Sequence, residues 1–217
     1  IRSTGLPITY DELSYGGRAL IVQPLFYYLF TLFSFIPFYF KIFPALLLSS
    51  LVLIAYFIAK EITNDENSSL FTALLVSFIP IYSKVLINQF SLYSLVLPLI
   101  AFIILCFIKL EDKKYLIYFI IGSFILSLTH SLSFLLLFIL LFYILLMSAE
   151  DLKITKLRQE TLIFTFFLIF LINTLIFRRA FLAYGLGVIF GNNPVSYNLN
   201  IFQSIYLLGI IPLVLGV

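Results

Sequence analysis

Tyr115–Ala149 reads YLIYFIIGSFILSLTHSLSFLLLFILLFYILLMSA, with no Asp, Glu, Lys or Arg from end to end. Basic residues flank it on both sides: Lys109, Lys113 and Lys114 come before it, and Lys153, Lys156 and Arg158 follow. A helix needs roughly 20 apolar residues to cross a hydrocarbon layer, so the stretch suits two short crossings joined by the polar Thr129-His130-Ser131. Lysine and arginine collect on the cytoplasmic side of membrane proteins. Both basic segments are therefore expected in the cytoplasm, and His130, between the two crossings, at the outer face.

Similar uncharged runs lie to either side. They cover Ile42 to Ala59, Leu70 to Ser83, Val85 to Ile108, Thr161 to Phe177 and Ala180 to Val217. Hydrophobic residues make up 63% of the 217 and charged residues 11%, against roughly half and a quarter in soluble domains. Only helices or closed barrels satisfy every backbone polar group in lipid, and the runs lack the alternation of barrel strands. The expected fold is all-α: a polytopic transmembrane helix bundle of about seven spanning helices plus an interfacial helix, integral to the cell (plasma) membrane and multi-pass.

The chain reads as a single transmembrane domain over residues 1–217, with 1–41 the first external loop and its interfacial helix, and 42–217 the bundle. Between Pro24 and Pro37 the apolar part is about 14 residues, short for a crossing. Its Phe26, Tyr27, Tyr28, Phe30, Phe33 and Phe35 suit a helix lying in the interface. Counting outward from His130 puts the Lys60 to Ser69 loop inside. The Lys84 to Ser91 link and the Arg178 to Asn200 segment fall outside. The chain opens at Ile1 and stops within an apolar run, so it is expected to be cut from a longer protein at both ends.

Composition also excludes some chemistry. The net charge of +3 comes from residues scattered between apolar runs, which fits membrane topology and not nucleic acid. One cysteine, Cys106, makes no internal disulfide. One histidine makes no zinc site without carboxylate help, so no metal ligands are assigned.

The segment with most chemistry is Thr9-Tyr10-Asp11-Glu12-Leu13-Ser14-Tyr15-Gly16-Gly17-Arg18, followed by Gln23-Pro24-Leu25-Phe26-Tyr27-Tyr28. A carboxylate there takes a proton from a hydroxyl or ligates a divalent cation, and aromatic faces pack on sugar rings; equally, Asp11 or Glu12 caps a helix. Arg178 and Arg179, with Lys84 and Arg18 as weaker candidates, suit a phosphate at headgroup depth or act as snorkelling anchors. His130 binds a phosphate, donates a proton or bonds a helix end. Asn88 and Gln89 hydrogen-bond a sugar or cap the next helix.

The Asp-Glu pair, Tyr15, Arg18 and the Pro-Leu-Phe-Tyr-Tyr run, ahead of a hydrophobic helix series, resemble the first external loop of the C-type (GT-C) glycosyltransferases. These include protein O-mannosyltransferases, aminoarabinose transferases and oligosaccharyltransferase catalytic subunits, and the string looks most like the superfamily's archaeal members. The helix pattern covers most of the chain, and about twenty residues are motif-like. The resemblance implies a glycosyltransferase that moves a sugar from a polyprenyl-phosphate carrier to an acceptor at the extracytoplasmic face, with inversion. Asp11, with Glu12 as second choice, then falls at the catalytic acid of the first loop. Arg18, Arg178, Arg179, His130, Lys84 and Gln89 would bind the substrate or the lipid phosphate. The expected partners are the lipid-linked sugar and membrane lipids. The family's metal-dependent branch has further acids in the second external loop, whereas Ser83 to Ser91 carries no carboxylate. A divalent cation is therefore not assigned, though it is compatible with the first loop. Two other classes fit the apolar runs: a secondary transporter or flippase, which needs ionisable groups near the midplane, and a non-catalytic membrane scaffold.

Overall fold

A computed structural model describes residues 10–11, 18–19, 23, 25–33, 35–36, 38–80, 91–150 and 155–184. These form an all-helical protein with one pair of two-residue strands. The strands are β1 (Tyr10–Asp11) and β2 (Arg18–Ala19), antiparallel, with Tyr10 opposite Ala19 and Asp11 opposite Arg18. The helices are α1 (Leu25–Leu32), α2 (Tyr39–Thr63), α3 (Glu66–Ser77), α4 (Tyr93–Ile108), α5 (Lys113–Thr129), α6 (Ser133–Ala149) and α7 (Lys156–Tyr184). They divide into two compact units, one of Ile1–Ile36 and Leu116–Asn193 and the other of Pro37–Tyr115 and Pro194–Val217.

In the second unit α2 packs against both α3 and α4. The sequence reading left Lys60 to Ser69 as a loop; the chain stays helical through Thr63 and re-enters helix at Glu66. Lys and Glu are good helix formers, so polarity at 60–61 marks the end of the apolar run and not of the helix. The break comes at Asn64, which takes the left-handed conformation (φ 53°) while its N–H bonds the Lys60 carbonyl. Asp65 then caps α3, its carboxylate accepting from the Ser68 N–H at 2.8 Å and from the Ser68 hydroxyl. At the far end of α4 the Lys109 ammonium bonds the Glu61 carboxylate at 2.7 Å, tying α4 to α2. That bond raises the Lys109 pKa above its usual value. Below the apolar layer of Leu48, Leu51, Val96, Ile103 and Cys106, the helices end in charge.

In the first unit α5, α6 and α7 are connected by short links. Asn173 of α7 bonds Ser133 at the start of α6, and Arg158 at the start of α7 bonds Tyr143 farther along α6 at 3.1 Å. Those two contacts make α6 and α7 antiparallel. Leu126, Leu136, Leu140, Leu162 and Ile169 form the apolar core, and Phe26 and Phe30 supply the buried face of α1. An apolar groove of about 290 Å³ lies between α6 and α7, lined by Leu137, Leu140, Leu141 and Ile144 facing Leu162, Ile163, Phe166 and Phe167.

Two helical stretches, Lys41–Thr63 and Lys156–Arg178, are long and apolar enough to cross a membrane. Tyr93–Ile108 and Ser133–Ala149 are shorter apolar helices. With 8 residues, α1 spans about 12 Å at 1.5 Å per residue and is no crossing. The Ala19 to Phe40 segment is thus not one spanning helix.

The Asp65 cap makes a local prediction. Its hydrogen bonds from Ser68 hold the carboxyl below its usual pKa, so its contribution is full above about pH 3.9 and disappears as pH falls through the lowered value. Asp65→Ala should speed hydrogen exchange at the Ser68 amide near neutral pH, and the difference between variant and wild type measured at the same pH should vanish only in strong acid; equal rates at pH 7 would remove the cap.

Candidate site at one end of the first helix unit

A helix leaves its last four carbonyls without intrahelical donors, and α5 ends at Thr129. The backbone N–H of His130 takes the Leu126 carbonyl at 2.9 Å. The Ser127 carbonyl is taken at 3.2 Å by the side-chain amide of Gln23, a residue 104 positions away. The same Gln23 nitrogen also donates to the Asn173 side-chain oxygen at 3.4 Å. Asn173 in turn donates to the Ser133 hydroxyl and to the Ile169 carbonyl, both at 2.9 Å. Gln23, Ser127, Ser133 and Asn173 are all buried. This polar cluster joins Gln23, two residues before α1, to three helices inside an apolar surround, where an unmatched amide costs several kcal/mol.

His130 occupies the link between α5 and α6. Its Nδ1 accepts from the Leu132 N–H at 2.9 Å, so the neutral ring carries its proton on Nε2. The imidazole is half-buried, and burial lowers its pKa. The bond and the burial both favour the neutral form, because protonating Nδ1 would set two donors against each other.

Arg178 is exposed on α7, five residues and about 7.5 Å along the helix from Asn173, beyond the polar cluster and toward the His130 end. The sequence reading ended the helix before Arg178; α7 continues through Arg178 and Arg179 to Tyr184. Alanine, arginine and leucine favour helix, and no Gly or Pro intervenes before Gly185. The side chain of Arg179 lies outside the described residues, as do Glu12, Lys84 and Gln89. For Asp11 and Arg18 the backbone is described, and they are register partners across β1 and β2. From Arg18 to Gln23 the chain reaches at most about 18 Å, which limits how far the strand pair stands from the buried cluster. Asp11, Arg18, His130 and Arg178 all belong to the first unit.

Sequence reasoning missed Asn173 as a contact. The available signal was one amide side chain in the apolar run Thr161 to Phe177, where polar groups bond between helices. Among the described residues no group of three or more His, Cys, Asp and Glu side chains comes together. No family model, curated protein or solved structure matches the chain.

His130 generates a pH prediction. Its folded pKa lies below the ordinary value near 6.5, so the unfolded chain binds the proton first. The histidine's contribution to stability is complete above about pH 6.5 and declines as pH falls below it. Protection of the Leu132 amide, taken as the intrinsic exchange rate at the same pH divided by the measured rate, should fall between pH 7 and pH 5. His130→Asn, which offers an oxygen acceptor without titrating, should flatten that profile; an unchanged profile would assign the acid sensitivity elsewhere.

Proposed function

We propose that this chain is a polytopic integral membrane protein of the cell membrane and a C-type (GT-C) glycosyltransferase. It would transfer a sugar from a polyprenyl-phosphate carrier to an acceptor at the extracytoplasmic face. The membrane part of the reading is supported by apolar side chains that stay outward: only 22% and 33% of the two long apolar stretches are buried. Phe35, Phe138, Phe167, Leu175 and Leu182 are largely exposed, an expensive surface in water. At 17 residues α6 reaches the lower end of a crossing, and α4 at 16 is one residue shorter.

The observation that carries the catalytic reading is the Gln23 amide bonded to Ser127 and Asn173. It ties Gln23, five residues after Arg18, to the end of the unit where His130 also lies, which supports an acidic segment near that end. In the proposed reaction the Asp11 carboxylate takes the proton of the acceptor hydroxyl as its oxygen bonds the anomeric carbon. The bond from that carbon to the carrier phosphate breaks on the opposite face, and its electron pair leaves with the phosphate, inverting the centre. Glu12 is the alternative base. Arg178, with Arg179 and Arg18, offers charge for the departing phosphate, and His130 in its neutral form offers an N–H. The apolar groove between α6 and α7 suits a prenyl tail. No step needs a metal, and a divalent cation beside the acidic loop is compatible with the scheme.

Single cysteines at Ser14 and Thr155 in a Cys106→Ala background, treated in intact cells with an impermeant maleimide, test the topology. Ser14→Cys should label and Thr155→Cys should not; the reverse would end the extracytoplasmic reading. Asp11→Asn should then reduce sugar transfer from a polyprenyl-phosphate donor by about 10²–10⁴-fold with folding intact, and undiminished transfer would exclude Asp11 as base.

A further inference from the structure

The helices of the first unit are apolar on nearly every side, so one amide in their interior has few reasons to be there. Asn173 is 1% exposed and uses both ends of its side chain: the nitrogen serves Ser133 and Ile169, and the oxygen receives Gln23. The Ser133 bond ties α6 to α7. The Gln23 bond reaches 150 positions back in sequence, to a residue that belongs to no helix. Gln23 also satisfies the end of α5 through the Ser127 carbonyl. One side chain from the N-terminal segment is therefore clamped between α5 and α7, while β1 and β2 lie immediately upstream of it.

We infer that Asn173 is a positioning residue: through the Gln23 amide it sets where the strand pair bearing Asp11 and Arg18 stands relative to the His130 end of the helices. Its consequence for catalysis rests on the glycosyltransferase reading; the tether itself does not. Asn173 touches neither reacting atoms nor substrate in this scheme. It acts by reducing the number of places the acidic segment occupies, and a misplacement of about 1 Å is enough to slow a positioned reaction.

The test uses the full chain in lipid nanodiscs, with Gln23→Ala, Asn173→Ala and the double variant. Two quantities are read: the rate of trypsin cleavage after Arg18, and kcat and KM for sugar transfer from a polyprenyl-phosphate donor. Each single substitution should raise cleavage about tenfold and lower kcat by about the same factor, with KM for the donor little changed. The double variant should do less than the product of the two singles, because the Gln23–Asn173 bond is lost in both. Multiplying effects, or cleavage indifferent to both substitutions, would overturn the tether. Gln23→Asn keeps an amide in place and shortens it by one methylene, so it covers the case in which the alanine variants fail to fold; faster cleavage supports the tether, and a wild-type rate overturns it. Cleavage that responds as expected in a protein that transfers no sugar retires the enzyme reading and leaves the tether standing. Transfer with neither readout affected does the opposite.

Discussion

An amide group surrounded by hydrocarbon has to find all its hydrogen-bond partners in the protein, and the arrangement of the first helix unit follows from how Asn173 does so. The helices α5, α6 and α7 carry apolar residues around most of their circumference, so no single stripe selects the face that packs. Leucine against leucine is nearly as favourable at one rotation as at the next. Ser133 on the donor side of Asn173 and Gln23 on the acceptor side lift that degeneracy. Only one rotation and one register of α7 put those atoms within reach together, and a mismatch strands a polar group where water does not compensate it.

Helix ends impose the same demand by another route. At the α2–α3 junction the carbonyl of Lys60 and the first N–H groups of α3 are satisfied by a left-handed Asn64 and by the Asp65 carboxylate. At the end of α5 the work is shared between the backbone of His130 and a side chain from the other end of the sequence. A local cap encloses its helix and nothing more. The distant cap closes α5 and ties Gln23, just ahead of α1, to the helices of the first unit.

The polar ends and apolar middles differ in what they tolerate. Exposed Phe and Leu side chains along α2 and α7 leave both helices with an apolar outer surface. The ion pair between Lys109 and Glu61, with the adjoining Lys60 and Glu66, suits a wet surface, where such pairs are worth at most about 1 kcal/mol each. Their placement beyond the apolar layer is therefore better explained by solvation than by strength.

Read alone, the amino-acid order determined that the chain is helical. Long uncharged runs favour helix as the way to satisfy the backbone, and the runs Val85 to Ile108, Tyr115 to Thr129 and Ser131 to Ala149 hold the helices Tyr93–Ile108, Lys113–Thr129 and Ser133–Ala149, whose C-terminal ends match those of the runs. It missed helix ends where charge and helix propensity diverge, at Lys60 to Thr63 and at Arg178 to Tyr184, since a lysine or arginine stops an apolar run without stopping a helix. Asp11, Arg18, His130 and Arg178 were legible as candidates from residue type. Their membership of one unit and the pairing of Asp11 with Arg18 were not. Tertiary structure alone decided that Gln23 meets Asn173 across 150 positions, because hydrogen-bond partners so far apart in sequence are chosen by which helix faces pack, and an apolar pattern without a stripe does not encode that choice.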